Sequence, residues 1–88
     1  MYKLSEKVVL QKLGPEVVVF RFSDERFFSL DSVASKMLEA IIEAGDPQRA
    51  ASALLQYYDI DQATLEADVL AFVEKCEREG FLARTKSA

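Results

Sequence analysis

The 88-residue sequence predicts an α+β fold in which a three-stranded antiparallel sheet is followed by three helices. Two short runs rich in valine and aromatics, KVVLQKL and EVVVFRF, flank Gly14-Pro15. After Leu30 the apolar period changes from two to about 3.6 residues, and Asp31, Asp46-Pro47 and Gly80 stand where helices begin and end.

Residues 7–13 and 16–22 read as a hairpin turning at Gly14-Pro15. In the second run Val18, Phe20 and Phe22 fall on one face and Val17, Val19 and Arg21 on the other, so one face is available to a core. Ser23-Asp24-Glu25 turns the chain into a third run, Arg26 to Leu30, and completes a meander. Behind Asp31 as N-cap, Ala34, Met37, Leu38, Ile41 and Ile42 repeat at helical spacing up to Gly45. Asp46 caps a second helix with Pro47 at its first position, and Ala51, Leu54, Leu55 and Tyr58 form its stripe. The third helix starts near Asp61, carries Leu65, Val69, Phe72 and Cys76 on its stripe, and stops at Glu79 before Gly80. Phe81 and Leu82 are placed to seal the core.

Length allows one core, so one domain is expected over residues 1–83, with the small and polar residues 84–88 as a disordered tail. Repeats, low-complexity tracts and linkers are not evident. With 50% hydrophobic and 30% charged residues the chain has the material for a core.

The net charge of −4 disfavours phosphate-rich partners. Residues 1–30 hold five bases and four acids, residues 31–88 six bases and eleven acids, so the basic surface lies on the N-terminal third. The single cysteine, Cys76, has no partner for an internal disulfide, and the N-terminus lacks the apolar run of a signal peptide or membrane span. A cytoplasmic protein is expected, with no membrane partner.

The chain contains no histidine, the commonest general base and metal ligand. Cys76 lies on the apolar stripe of the third helix, where a thiol is an inert small hydrophobe. One cysteine without histidine does not make a zinc site. Asp59, Asp61, Glu66 and Asp68 lack the spacing and glycine of a calcium loop, and Gly14, Gly45 and Gly80 each sit at an element end, so no loop cradles a phosphate. These observations imply no catalytic residues, metal or cofactor, and argue against an enzyme.

Three helices beside a small sheet form a winged helix-turn-helix-like arrangement, which makes a DNA-binding regulator one alternative. Against it, Gln62 to Glu79 carries five acids and two bases, where a DNA reader needs positive charge. A second alternative is a structural subunit of an enzyme. What remains is apolar excess. Leu70 and Val73 widen the arc of the third helix, and Phe27 and Phe28 in succession put one aromatic on each face of the third strand. As an edge strand, Arg26 to Leu30 can accept a visiting strand.

The segments FFSLDSVASKMLEAI and DIDQATLEADVLAFVEKCEREGFL resemble the PqqD-like family of precursor-peptide recognition elements. The resemblance runs from Val8 to Leu82. It is carried by the aromatic-x-Leu-Asp of Phe28 to Asp31, the Asp-Val-x-x-Phe of Asp68 to Phe72, and the ending Gly80 to Leu82. It implies three strands against three helices and a non-catalytic peptide chaperone in the biosynthesis of ribosomal, modified peptides, whether of the PQQ, lasso or another class. The leader of a precursor peptide would add as a strand beside the third strand and against the third helix, for presentation to a radical SAM enzyme, a cyclase or a leader protease. Carried onto this chain, it assigns backbone pairing to Arg26, Phe27, Phe28 and Ser29, an apolar wall to Val69, Phe72, Val73 and Cys76, and a polar orienting role to Asp68. Phe27 is the expected exposed anchor, Phe28 and Leu30 the core side. The chain departs from the family pattern at Asp31, where asparagine is frequent, and at Cys76, where leucine is usual.

Overall fold

Gly14, at φ 63°, and Pro15 reverse the chain between two strands, so the expected hairpin forms with Leu13 opposite Glu16 and Val8 opposite Arg21. The computed structural model describes residues 1–85. In chain order the elements are β1 (Tyr2–Leu4), β2 (Val8–Leu13), β3 (Glu16–Arg21), β4 (Arg26–Leu30), α1 (Ser32–Ala44), α2 (Pro47–Leu54), a 3-10 turn (Leu55–Tyr57), α3 (Gln62–Glu79) and β5 (Leu82–Arg84). Strands β2, β3 and β4 make the antiparallel meander in that order, with Val17 opposite Leu30 and Arg21 opposite Arg26.

The inward face of β3 is the one carrying Val17, Val19 and Arg21. Both valines are buried, whereas Val18 and Phe20 are half-covered and Phe22 is exposed. Valines fit the narrow gap over α1, where Leu38 and Ile41 lie fully buried, and the longer aromatics take the open face. Ser35 of α1 is also fully buried and joins the two layers. Its hydroxyl donates to the Leu30 carbonyl at 3.2 Å and accepts the Val17 N–H at 2.8 Å, bridging the last rung of the β3–β4 ladder.

The helix caps fall where the sequence puts them. Asp31 accepts the Ala34 N–H, Asp46 the Gln48 N–H and Asp61 the Thr64 N–H. The last contact holds the Asp61 carboxyl below its ordinary pKa. Helix α2 is shorter than its stripe suggested. It ends at Leu54 and tightens into the 3-10 turn, which leaves Tyr58 just beyond.

Two strands were not foreseen. Tyr2 to Leu4 pair with Leu82 to Arg84, and the pairing is extended by the Thr85 N–H donating to the Met1 carbonyl at 2.9 Å. The expected tail from 84 onward is corrected at its start, because Arg84 belongs to β5; residues 86–88 lie outside the described residues. Tyr2 N–H also donates to the Gly45 carbonyl at 2.7 Å. Gly45 is in the left-handed region, and a Cβ there would meet the Met1 side chain at 3.0 Å, so glycine serves both the helix end and the seated N-terminus.

Replacing Ser35 by alanine leaves the buried Val17 N–H without its acceptor. Chemical denaturation of Ser35→Ala is expected to show an unfolding free energy lower by about 1–3 kcal/mol.

Candidate functional site

Strand β4 pairs with β3 on one side and with no strand on the other among the described residues. Phe22 N–H donates to the Lys7 carbonyl at 3.0 Å, so Phe22 turns its main chain toward the β2 side. Main-chain direction alternates along antiparallel strands, so Val18 and Phe20 bond toward β2 while Val17, Val19 and Arg21 bond toward β4. Their opposites on β4, Leu30, Phe28 and Arg26, turn back to β3. Phe27 and Ser29 therefore direct their N–H and C=O groups to the open edge.

Helix α3 is tied to the sheet at its C-terminal end. Asp68, Phe72, Lys75 and Glu79 follow one another at steps of three or four residues and share one flank. The Glu79 carboxylate accepts from Arg21 of β3 at 3.1 Å and the Glu79 carbonyl at 2.7 Å, so this flank faces the sheet. Asp24 completes the anchor at 2.6 Å from the same guanidinium. Asp24 first, and Glu79 after it, raise the Arg21 pKa above its ordinary value, and Arg21 lowers that of Asp24. The guanidinium of Arg21 also lies over the Phe28 ring at 4.7 Å, and Phe28 meets Phe81 edge-on at 5.1 Å between centroids. At the other end of β4, burial and the charge of Asp31 raise the Tyr58 hydroxyl above its ordinary pKa. That hydroxyl is buried without a hydrogen-bond partner. The end of helix α3 is thus tied to Arg21, which lies opposite Arg26, while Tyr58, just ahead of the helix, lies near Asp31.

Of the expected pairing residues, Phe27 and Ser29 have outward main-chain groups, and Arg26 and Phe28 do not. Phe27 is the expected exposed anchor, 70% accessible, while Phe28 and Leu30 are half-buried on the inner face. The expected apolar wall needs correction. Val69, Val73 and Cys76 are 0%, 1% and 3% exposed and belong to the core. Of the expected wall Phe72 alone is half-buried at the surface, because Leu65, Val69, Val73 and Cys76 are taken by the core, with α3 packed on α1, α2 and β5. Burial pushes the Cys76 thiol up to about 11, as expected of an inert cysteine. Asp68 is exposed on the flank facing the sheet. Leu70 is exposed on the opposite flank, where it lines a recess with Glu66, Asp46 and Pro47.

Sequence reasoning missed the outer face of the sheet as a feature. Val9, Val18, Phe20, Phe22 and Phe27 make one apolar surface, with the Phe20 ring tilted against Phe27 at 4.7 Å and edge-on to Phe22 at 5.4 Å between centroids. The signal was present in the alternation of Val18, Phe20 and Phe22; what was lacking was which face turns inward. Among the described residues no group of three or more potential ligands gathers to hold a metal, and no helix is long and apolar enough to cross a membrane.

Comparison with known proteins adds to this geometry. A family model described as coenzyme PQQ synthesis protein D (PqqD) matches residues 16–82. A solved structure described as TbiB1 in complex with the TbiA(beta) leader peptide is 26% identical, covers 97% of this chain and 99% of its own, and superposes with a TM-score of 0.85. A second, lasso peptide synthetase B1 complexed with the leader peptide, is 16% identical over 93% of this chain and 96% of its own, with a TM-score of 0.82, a likeness of fold. None of the curated proteins matches.

Two outcomes follow from burial. Cys76 is expected to resist a thiol reagent at neutral pH until the chain unfolds. Its thiol deprotonates near 9 in the unfolded chain and near 11 in the fold, so stability is full below pH 9 and declines as pH rises toward 11, measurable by denaturant titration across that range.

Proposed function

We propose that this chain, which belongs to the PqqD family, is a non-catalytic leader-peptide-binding protein that captures a ribosomal precursor peptide by strand addition at β4 and presents it to a modifying enzyme. One observation carries the reading. The open edge of β4 offers the main-chain groups of Phe27 and Ser29, and the flank of α3 bearing Asp68 and Phe72 is the one tied to the sheet through Glu79 and Arg21. Strand addition needs such an edge, because backbone hydrogen bonds supply affinity and neighbouring side chains supply choice. Ser29 and Phe27 pair with the leader, Phe72 and the inner Phe28 receive its apolar side chains, and Asp68 orients a polar or cationic one. Val69, Val73 and Cys76 support Phe72 from the core. The two structural neighbours, each bound to a leader peptide by its description, support the reading.

The modifying enzyme, whether a radical SAM enzyme, a cyclase or a leader protease in the cytoplasm, meets the outer face of the sheet. Val9, Phe20, Phe22 and Phe27 form an apolar surface there, with Lys7 and Glu16 at its two ends. An exposed patch of this kind on a small domain marks an interaction surface. Phe27 belongs to both sites, so a leader strand beside β4 extends the face that the enzyme reads.

Calorimetric titration with the leader of the precursor encoded beside this chain is expected to give saturable binding at about tens of micromolar or tighter. Phe27→Ala is expected to weaken it about tenfold or more, while the unfolding free energy changes by less than about 1 kcal/mol. Absence of binding contradicts strand capture; equal losses in binding and stability place Phe27 in the core.

A further inference from the structure

The two ends of the β4–α3 groove carry opposite charges, Arg26 and Asp68, that make no salt bridge among the described residues, although the charge of Arg26 also reaches Asp24. At one end Arg26 is exposed, makes no salt bridge among the described residues, and lies over the Phe28 ring at 5.5 Å from its centroid. Its neighbour Arg21 is consumed by Asp24 and Glu79, so Arg26 is the cation of β4 left to meet a ligand. Toward the other end, Asp68 lies about three turns before Glu79 on the same flank, about 16 Å back along the helix, exposed and likewise without a salt bridge among the described residues. Asp31 lies at that end as well, and so does the partnerless Tyr58 hydroxyl. Between the ends stand Phe28 on the strand and Phe72 on the helix, both half-buried.

Resting on the strand-capture reading, we infer that the groove selects a charge-ordered segment: an acidic side chain beside Arg26, an apolar side chain against Phe28 and Phe72, and a basic side chain beside Asp68. In an added strand every second side chain shares the inner face with Arg26, Phe28 and Leu30. The three side chains therefore occupy positions i, i+2 and i+4, with the central one apolar and the outer two of opposite sign. Such an order fixes register, because a slip of one residue sends all three to the outer face. It also fixes direction, because a reversed strand brings acid to Asp68 and base to Arg26, and the groove rejects it by like-charge contact.

The test is selection of a phage-displayed library of nine-residue segments on the whole chain, followed by sequencing of the enriched clones. Wild type is expected to enrich an apolar residue flanked two positions away by one acid and one base, in a single order, by roughly threefold per charge. Arg26→Glu is expected to move the acidic preference to lysine or arginine, and Asp68→Lys to move the basic preference to aspartate or glutamate. Both positions are exposed, and unchanged thermal melting of each variant verifies that the fold is kept. Apolar alternation without charge preference, or the same charge preference in wild type and both variants, overturns the charge order and leaves strand capture standing. Failure of wild type to enrich any segment counts against strand capture itself.

Discussion

The Ser35 hydroxyl holds the architecture in place. It sits where the β3–β4 ladder ends, taking the Val17 N–H and giving its own proton to the Leu30 carbonyl. A buried hydroxyl with both roles filled tolerates little displacement, since each unmade bond leaves a desolvated polar group. It therefore ties the end of the sheet to α1, on the face where Val17 and Val19 pack against Leu38 and Ile41. With the valines inward, alternation along the ladder puts Phe27, opposite Phe20, and Ser29, opposite Val18, on the outer face.

The opposite end of the same hairpin is held by Arg21. It reaches the last carbonyl of α3, the carboxylate of Glu79 and the carboxylate of Asp24, and covers Phe28. Arginine suits the position because a planar fork satisfies several acceptors at once. With Ser35 at one end and Arg21 at the other, β4 is held without any partner along its free edge. A strand held along one edge and open along the other is a preorganised receptor for a peptide, since little ordering remains to be done on binding.

Much of this was legible in the sequence because it is local. Gly14-Pro15, the three aspartate caps and Gly80 act on their neighbours, and the hairpin and helices follow them. The Phe27–Phe28 pair was legible too, because alternation alone puts one aromatic outward. Pairing of β1 with β5 was not, as three-residue strands at the two chain ends carry no signature and meet only once the helices have folded. The wall of the groove was misread for a related reason. Val69, Val73 and Cys76 look like any apolar stripe, and only packing reveals that the core takes them and leaves Phe72 at the surface. Ser35 and Tyr58 gave no sign either, one hidden within a helix and the other turned aside where α2 tightens.

The central claim is that a leader peptide becomes a strand on the free edge of β4, and amide hydrogen exchange read residue by residue tests it most directly. In the free chain the Phe27 and Ser29 amides are predicted to exchange readily, while Phe28 is protected by β3. Adding the leader peptide is predicted to protect Phe27 and Ser29 and to leave Phe28 as it was. Saturating leader with no change at Phe27 and Ser29 would contradict the account.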